Sequence, residues 1–382
     1  MYRETYAEIN LRNFRNNLTL LKGFNSHSTF FCPMIKANAY GHGDIELAKV
    51  AVSEGVRSLG VALFEEAVRL RQAGLECEIL VFYPAIDKAS ATLLHQYNLT
   101  PVVSSWSGLQ ELAKLNRQIS LHVKFNTGMN RLGFSSSDAK TLSIFFHENE
   151  KLQLVGLCSH LAIADDMAST EGFTAQQIAK LLSIRSMFKQ TDIVLHCLNS
   201  EGLIGRHCLE RDELNSIGAR PGISLYGIKP ELKNLNSRSL DRWHAINLKP
   251  VMQIKSRIVQ VQSIKKNEIV SYGGRYKVDK DSLIAVIPVG YADGYSRQFS
   301  NRASVLCAGK EVPVSGSVCM DYTMVDLTKH FAVRKNWLDE EVVLLGQQGE
   351  KTITAEELAK IAQTNSYEIL TSISQRVPRV YV

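Results

Sequence analysis

The alternation of apolar and amphipathic segments constrains the fold of this chain more than any other feature. Over about the first 230 residues, short apolar runs alternate with stretches of helical periodicity. Eight such runs lie near 30–36, 58–64, 78–83, 99–104, 120–125, 152–158, 193–198 and 214–218. Short strands separated by helices predict a parallel sheet with crossover connections. We expect a (β/α)₈ barrel, although a doubly wound open sheet produces the same periodicity.

The pattern changes after about residue 232. Residues 234–242 are polar, and we interpret them as a connector. Strand-like runs dominate beyond them, and only residues 355–363 have a clear helical pattern. The sequence therefore predicts a β-rich second domain, with domains at 1–238 and 239–382.

Composition excludes several classes of protein. With 45% hydrophobic and 21% charged residues the chain is typical of a globular protein, and its net charge of +6 comes without any dense basic block. We therefore expect no nucleic-acid partner. No apolar stretch approaches about 20 residues and the N-terminus lacks a secretory pattern, so we expect a cytoplasmic protein with no membrane span. Seven irregularly spaced cysteines without a Cys-x-x-Cys pair predict neither disulfides nor a metal site.

One lysine closes the first apolar run. Residues 30–43 read Phe-Phe-Cys-Pro-Met-Ile-Lys-Ala-Asn-Ala-Tyr-Gly-His-Gly, which places Lys36 at the end of the run and Tyr40 four residues later. A lysine at a buried strand end is costly unless it has a function, and a Schiff base with a carbonyl compound is one such function. In a barrel, the active groups lie at the carboxyl ends of the strands.

Later runs also end in polar groups. Lys124 ends the fifth run and precedes Arg131 in a glycine-bounded loop, and His160 ends the sixth. After the seventh and eighth runs come Asn199-Ser200 and Arg220-Pro-Gly-Ile223. The last two loops form the common phosphate site of barrels, so the Ser200 hydroxyl and the N–H groups of Gly222 and Ile223 are candidate phosphate donors.

These motifs resemble those of alanine racemases, which use pyridoxal 5′-phosphate (PLP). The resemblance covers nearly the whole chain, from Lys36 to Arg379. Beyond the lysine segment, it rests on Lys-Phe-Asn-Thr-Gly-Met-Asn-Arg-Leu-Gly at 124–133, Ser-His-Leu-Ala-Ile-Ala-Asp at 159–165, Gly-Ala-Arg-Pro-Gly-Ile at 218–223, Val-Ser-Tyr-Gly at 270–273, Gly-Tyr-Ala-Asp-Gly at 290–294, Gly-Ser-Val-Cys-Met-Asp-Tyr at 316–322 and Arg-Val-Pro-Arg at 376–379.

The resemblance implies a role for each candidate residue. Lys36 holds the cofactor and is one catalytic base, and Tyr272 of the partner subunit in a homodimer is the other. The remaining implied cofactor contacts are Tyr40, His160, Asn199, Ser200, Arg220, Gly222, Ile223 and Tyr226. Arg131, Tyr291 and Met320 are implied for the substrate, and Lys124 is a candidate for carbamylation, which would relieve its repulsion from Arg131. Gln375 stands where the family often has a tyrosine, which puts substrate breadth in doubt.

Arg220 bears on the reaction type. By the resemblance it faces the pyridine nitrogen of PLP. A guanidinium only donates hydrogen bonds, so it cannot share a proton that would make the PLP ring a full electron sink. Such a ring suits simple proton exchange at Cα. We therefore expect interconversion of L- and D-alanine, with D-alanine supplied to peptidoglycan. The alternatives are a racemase of serine, lysine or arginine, a PLP-dependent decarboxylase, a PLP carrier and a barrel that serves only as a scaffold.

Overall fold

A computed structural model describes residues 3–26, 28, 30–333 and 336–382. The chain divides into two compact units. The barrel unit comprises Phe14–Ala39 and Asp44–Lys249. The β-rich unit comprises the N-terminal residues through Asn13, Tyr40–Gly43 and Pro250–Val382.

The barrel unit contains a sheet of seven parallel strands that follow chain order. They are Ser58–Val61, Glu78–Val81, Thr100–Val103, Ile119–Lys124, Leu152–Cys158, Val194–Leu198 and Ile217–Ala219. The first apolar run joins both edges of this sheet, since Phe31 bridges to Ala219 and Met34 bridges to Gly60. Pro33 has no N–H group, so this run makes isolated bridges in place of a regular strand. The predicted barrel class is confirmed, and the doubly wound open sheet is not observed.

Helices follow the strands as the periodicity predicts. The helices before Pro250 are Leu11–Phe24, Asp44–Ser53, Phe64–Gln72, Lys88–Gln96, Trp106–Lys114, Ala139–Glu148, Phe173–Arg185, Ser200–Leu209 and Ser237–Ala245. All but the last bury apolar side chains on one face, as Phe64, Ala67 and Leu70 do in the third, whereas the buried residue of Ser237–Ala245 is Ser239. The interpretation of residues 234–242 as a connector was wrong. Asn236 caps a helix there by accepting the N–H of Ser239.

The barrel interior is apolar but contains two histidines. Phe30, Cys32, Leu80, Val102 and Cys158 form one buried cluster. Burying each large side chain of this kind contributes roughly 1.5–3 kcal/mol. His122 and His196 are also buried, at 1% and 0% exposure. Because buried polar groups are costly without partners, these two histidines require hydrogen bonds within the barrel.

The β-rich unit is built on a second seven-stranded sheet. Along its main path the strands are Lys310–Pro313, Ser304–Cys307, Glu341–Gln348, Met252–Arg257, Tyr6–Ile9 and Arg379–Tyr381, and Lys351–Ile353 pairs with the third of them. The N-terminal strand Tyr6–Ile9 runs antiparallel to Met252–Arg257 and parallel to Arg379–Tyr381. The predicted boundary at 238/239 stays a prediction. The barrel unit continues to Lys249, and the N-terminal strand belongs to the β-rich unit.

Smaller elements complete the β-rich unit. Three strands, Gln260–Ile264, Ser282–Ile287 and Thr323–Asp326, form an antiparallel sheet. Ile269–Val270 pairs with Tyr276–Lys277. The helices are Ala355–Ala362 and Ser366–Thr371.

Two findings concern the chain as a whole. None of the helices in the described part of the chain is both long and apolar enough to span a membrane. None of the seven cysteines forms a disulfide bond in the part of the chain that the structure describes, and five of them are buried.

Candidate active site

Lys36 begins a left-handed turn. We call Lys36–Tyr40 the lysine turn; its last four residues have φ angles between 51° and 54°. This conformation costs roughly 1–2 kcal/mol for each residue other than glycine, so the surrounding structure must hold it. Burial lowers the pKa of the Lys36 amine, and the charges of Arg131 and Arg220 lower it further against the opposing charge of Glu66. A larger fraction of neutral, nucleophilic amine is therefore present near pH 7.

Lys124 and His160 lie at or just after the carboxyl ends of two further barrel strands. Lys124 is the last residue of Ile119–Lys124 and is only 9% exposed. Burial is the main cause that lowers its pKa to about 8, and the positive charges of Arg220, Arg131 and Lys36 act in the same direction. Burial and the charges of Arg220, Lys124, Arg131 and Lys36 hold the pKa of His160 well below its usual value. These mutual effects show that the barrel fold gathers the predicted cations.

Arg131 lies on a tight loop built around Asn126. The Asn126 side-chain oxygen accepts the N–H groups of Gly128 and Asn130, at 3.1 and 3.0 Å. Gly133 has a φ of +128°, and a Cβ there would lie 2.5 Å from the Asn126 nitrogen. Only glycine fits this crossing, so the loop that carries Arg131 has a fixed shape.

Arg220 is the most extensively bonded charged group of the site. It follows the strand Ile217–Ala219 directly and is 6% exposed. Its Nη1 donates to Nδ1 and, at 2.9 Å, to the carbonyl oxygen of His196. Its Nη2 donates to the Ser159 carbonyl oxygen at 2.7 Å and lies 3.4 Å from His160 Nδ1. The guanidinium is therefore held by rigid strand ends.

A hydrogen-bonded relay extends from Arg220 through the barrel interior. Because arginine can only donate, His196 Nδ1 accepts and its proton lies on Nε2. That Nε2 lies 2.7 Å from His122 Nδ1, which must accept in turn. His122 Nε2–H then faces the Glu78 carboxylate at 3.8 Å. In each of these contacts the N–H group belongs to the residue nearer Arg220, and it points towards the residue nearer Glu78.

The two ends of the relay have consistent charges. Burial raises the pKa of Glu78, but the nearby His122 side chain and the hydrogen bond from Ser58 outweigh burial, so the net pKa is lowered. The Ser58 hydroxyl donates to this carboxylate at 2.6 Å. Burial and the Arg220 charge keep the pKa of His196 well below its usual value, so its ring stays neutral. The relay thus places an anion at the far end from Arg220.

The two predicted phosphate loops meet at Ser200. Asn199 caps the helix Ser200–Leu209 by accepting the N–H of Gly202 at 2.9 Å. Ser200 Oγ accepts the N–H groups of Gly222 and Ser224, at 3.0 and 3.2 Å. The Ser224 hydroxyl is buried and has no hydrogen-bond partner among the described residues. Hydroxyls and N–H groups at a helix start are the donor set that a phosphate ester requires, so these residues fit a phosphorylated cofactor.

Two predicted cofactor contacts lie elsewhere. Tyr226 is 1% exposed, and its hydroxyl donates to the Met34 carbonyl oxygen at 2.8 Å. It supports the apolar run that precedes Lys36. Tyr40 ends the lysine turn but is counted in the β-rich unit, where its ring lies 6.0 Å from that of Tyr367.

The three residues predicted from the second domain lie on adjoining loops of the β-rich unit. The N–H of Tyr291 donates to the Cys319 carbonyl oxygen at 3.0 Å, next to Met320. Ser317 Oγ donates to the Tyr272 carbonyl oxygen at 3.0 Å, and Ser271 Oγ donates to the Ser317 carbonyl oxygen at 2.7 Å. These bonds tie the loops of Tyr272 and Met320 together.

All three side chains are exposed. Tyr272 is 72%, Met320 53% and Tyr291 44% exposed. Beside Tyr272 lies a groove lined by apolar residues that include Ile269, Ile284 and Met324. We call Tyr272, Tyr291 and Met320 the exposed trio.

Sequence reasoning missed the residues that support the site. Glu66, Glu78, His122 and His196 were not singled out, and neither was Ser224. Each lies in an ordinary strand or helix pattern, and only the tertiary pairing brings it to the predicted residues. A histidine and a glutamate inside apolar strands were the available signal.

Comparison with known proteins gives one consistent family. The N-terminal domain of alanine racemase matches residues 9–230 and the C-terminal domain matches residues 251–381. The alanine racemase of Carboxydothermus hydrogenoformans is 37% identical, with 100% of both chains covered.

Solved structures agree. Alanine racemase of Clostridium difficile 630 has a TM-score of 0.88 at 32% identity and covers 100% of this chain and 96% of that one. Alanine racemase of Bartonella henselae, solved with covalently bound pyridoxal phosphate, has a TM-score of 0.85 at 26% identity over 99% of each chain. The barrel followed by a β-rich region, together with these full-length matches, assigns the chain to a class of isomerases. The chain belongs to the alanine racemase family.

Proposed function

We propose that the protein interconverts L- and D-alanine by proton exchange at Cα, with PLP as cofactor and a homodimer as the working unit. The single observation that carries this proposal is the convergence of Lys36, Lys124 and His160 around Arg220, whose positive charge helps lower the pKa of all three. We further propose a cytoplasmic enzyme that supplies D-alanine to peptidoglycan, the usual role of the family.

The barrel residues fit the cofactor. Lys36 would hold its aldehyde, and Arg220 would donate to the ring nitrogen. Ser200, Gly222 and Ile223 would bind the phosphate, and we expect Tyr40, His160, Asn199 and Tyr226 to support these contacts. When bound, PLP supplies an aldehyde that condenses with amines and an electron-withdrawing ring that acidifies the Cα proton.

Two bases on opposite faces of Cα account for an exchange in both directions. Lys36 is one base in our proposal, because burial and neighbouring positive charges lower its pKa and so increase its fraction of neutral amine. Tyr272 of the partner subunit is the other in our proposal. A free tyrosine has a pKa of about 10, so it needs positive charge nearby to accept a proton. Arg220 is the candidate for supplying that charge. The lowered pKa of His160 leaves its ring neutral, so His160 contributes to this network as a hydrogen-bonding group.

In our proposal, Arg220 restricts the type of reaction to proton exchange. A guanidinium does not give up its proton near neutral pH, so it remains a donor throughout the exchange. We expect little decarboxylation or transamination for this reason. Arg131 would bind the substrate carboxylate, and Met320 and Tyr291 would line the entrance.

Chiral chromatography tests the reaction. Purified protein is incubated with PLP and L-alanine, L-serine, L-lysine or L-arginine. We expect D-alanine to approach an equal mixture, with little D-isomer of the others. Comparable D-serine or D-lysine would establish the broader racemase and draw attention to Gln375. A protein that binds PLP but forms no D-isomer would contradict the proposal.

Mixing two inactive variants tests the shared site. Lys36→Ala and Tyr272→Phe are purified separately, then combined in equal amounts and allowed to exchange subunits. A heterodimer holds one intact site, with Lys36 from one chain and Tyr272 from the other. Half of the dimers are mixed, so we expect roughly one quarter of wild-type activity to return. No recovery despite demonstrated exchange would mean that each chain uses its own tyrosine.

A further inference from the structure

The helix Phe64–Gln72 contacts the lysine turn through a carboxylate. Glu66 Oε1 accepts the N–H of Ala37, the residue directly after Lys36, at 2.6 Å. Glu66 Oε2 accepts the N–H groups of Ala62 and Leu63, at 2.8 and 3.1 Å. The second oxygen caps the helix in the ordinary way. The first makes a bond that the helix does not need.

The same helix also holds the segment that follows the turn. Arg69, one helical turn after Glu66, donates through Nε to Asp44 Oδ2 at 2.9 Å. The Asp44 N–H donates to the side-chain oxygen of Asn38 at 3.1 Å. Residues within the turn and just beyond it are therefore attached to one helix face.

The turn needs such support. Ala37, Asn38, Ala39 and Tyr40 all have left-handed φ angles. Alanine has no intrinsic preference for this region, and the cost is roughly 1–2 kcal/mol per residue. A strained backbone persists only where its surroundings over-determine it. A charged acceptor bonded to the first strained N–H group meets that requirement.

We propose that Glu66 is a positioning residue, which holds the lysine turn in its left-handed conformation and so fixes the backbone that carries Lys36. This rests on the proposed function, in which Lys36 holds PLP. The role differs from helix capping, because it acts through Ala37 and not through Ala62 or Leu63.

The first experiment replaces one atom of the carboxylate. Glu66→Gln keeps the size of the side chain but sets an NH₂ group against backbone donors. Glu65→Gln is the matched control, since Glu65 is exposed and adjacent on the same helix. PLP binding to the cofactor-free protein is followed by absorbance. We expect Glu66→Gln to bind PLP about tenfold more weakly, the loss of one charged hydrogen bond, and Glu65→Gln to match the wild type.

The second experiment removes the strain. Ala37 is exposed, so Ala37→Gly loses no packing and makes the left-handed conformation inexpensive. If Glu66 holds the turn, the double variant Glu66→Gln/Ala37→Gly regains most of the lost PLP affinity. A residue that only caps its helix gives no such recovery, and that outcome overturns the proposal.

Hydrogen exchange supplies a readout without cofactor. In the cofactor-free protein, we expect Glu66→Gln to accelerate amide exchange in residues 37–40 more than at Ala62 and Leu63. Faster exchange at Ala62 and Leu63 alone overturns the proposal. A wild-type protein that binds no PLP would refute the proposed function. The exchange pattern would still test whether Glu66 holds the lysine turn, because it is measured without cofactor.

Discussion

The barrel unit and the β-rich unit present their candidate residues in opposite ways. In the barrel unit, Lys124 and Arg220 are 9% and 6% exposed, and burial changes the protonation of the amines and imidazoles around them. In the β-rich unit, Tyr272 and Met320 are 72% and 53% exposed. One half of the candidate site is preorganised by its own fold. The exposed residues of the β-rich unit are accessible to a second subunit, as the proposed homodimer requires.

The largest expected effect tests whether an exposed tyrosine is catalytic. Tyr272→Phe removes only a hydroxyl, and loss of a general base costs about 10²- to 10⁴-fold in rate. We expect that loss in L-to-D turnover, with PLP absorbance unchanged. Tyr322→Phe is the control, because Tyr322 is 50% exposed near the same loops. Equal effects of the two changes would remove Tyr272 from the mechanism.

The second test concerns the buried half. Arg220→Lys removes donors from two carbonyl oxygens and from His196, which leaves buried acceptors unpaired. We expect the free energy of unfolding to fall by about 2–3 kcal/mol, measured by urea titration of the cofactor-free protein. Arg57→Lys, at an exposed position, should change it little. Equal free energies of unfolding for the two variants would mean that the hydrogen bonds of Arg220 do not stabilise the fold.

Much of this contrast could be predicted from the sequence. The strand ends that carry Lys36, Lys124, His160 and Arg220 follow from short apolar runs and their next polar residue. The relay could not be predicted, because Glu78, His122 and His196 lie on three strands and only barrel closure sets their pairing. The left-handed turn also left no signal, since Ala37 and Ala39 do not favour positive φ.

Two other failures have the same physical origin. The helix Ser237–Ala245 lacks a strong apolar stripe, and its evidence was the cap at Asn236. The N-terminal strand Tyr6–Ile9 pairs with residues more than two hundred positions away. Local patterns do not encode pairing at such separations.

A third test uses pH to isolate one buried group. Because the pKa of His160 is lowered in the folded protein, the unfolded chain binds a proton there below about pH 6.5 and the folded chain does not. Stability should therefore fall as pH decreases below 6.5, by about 1 kcal/mol between pH 6.5 and 5.5 from this residue. His160→Gln should remove that part of the slope between pH 6.5 and 5.5.

The control for the pH test is His147→Gln, at an exposed position of the helix Ala139–Glu148. Urea titrations of the cofactor-free variants give the slopes. An unchanged slope in His160→Gln would mean that His160 protonates without cost in the folded barrel.

The smallest expected effect concerns Lys124. A pKa of about 8 leaves roughly a tenth of this amine unprotonated at pH 7, and the free amine reacts with carbon dioxide. We expect a carbamate signal in ¹³C NMR with labelled bicarbonate, which increases as pH rises through 8. Lys124→Arg should abolish it, and Lys189→Arg, at an exposed position, should not. A signal that persists in Lys124→Arg would assign the carbamate to another amine.

The pairing of Tyr6–Ile9 with Arg379–Tyr381 has a consequence for biosynthesis. The strand Tyr6–Ile9 leaves the ribosome well before one of its neighbours, the strand Arg379–Tyr381, which lies more than three hundred residues later in the chain. The barrel strands between them are complete long before that partner exists. Arg379–Tyr381 must therefore be synthesised before Tyr6–Ile9 can gain its full set of hydrogen bonds. Until then, its open edge is exposed to any other nascent chain with a free strand.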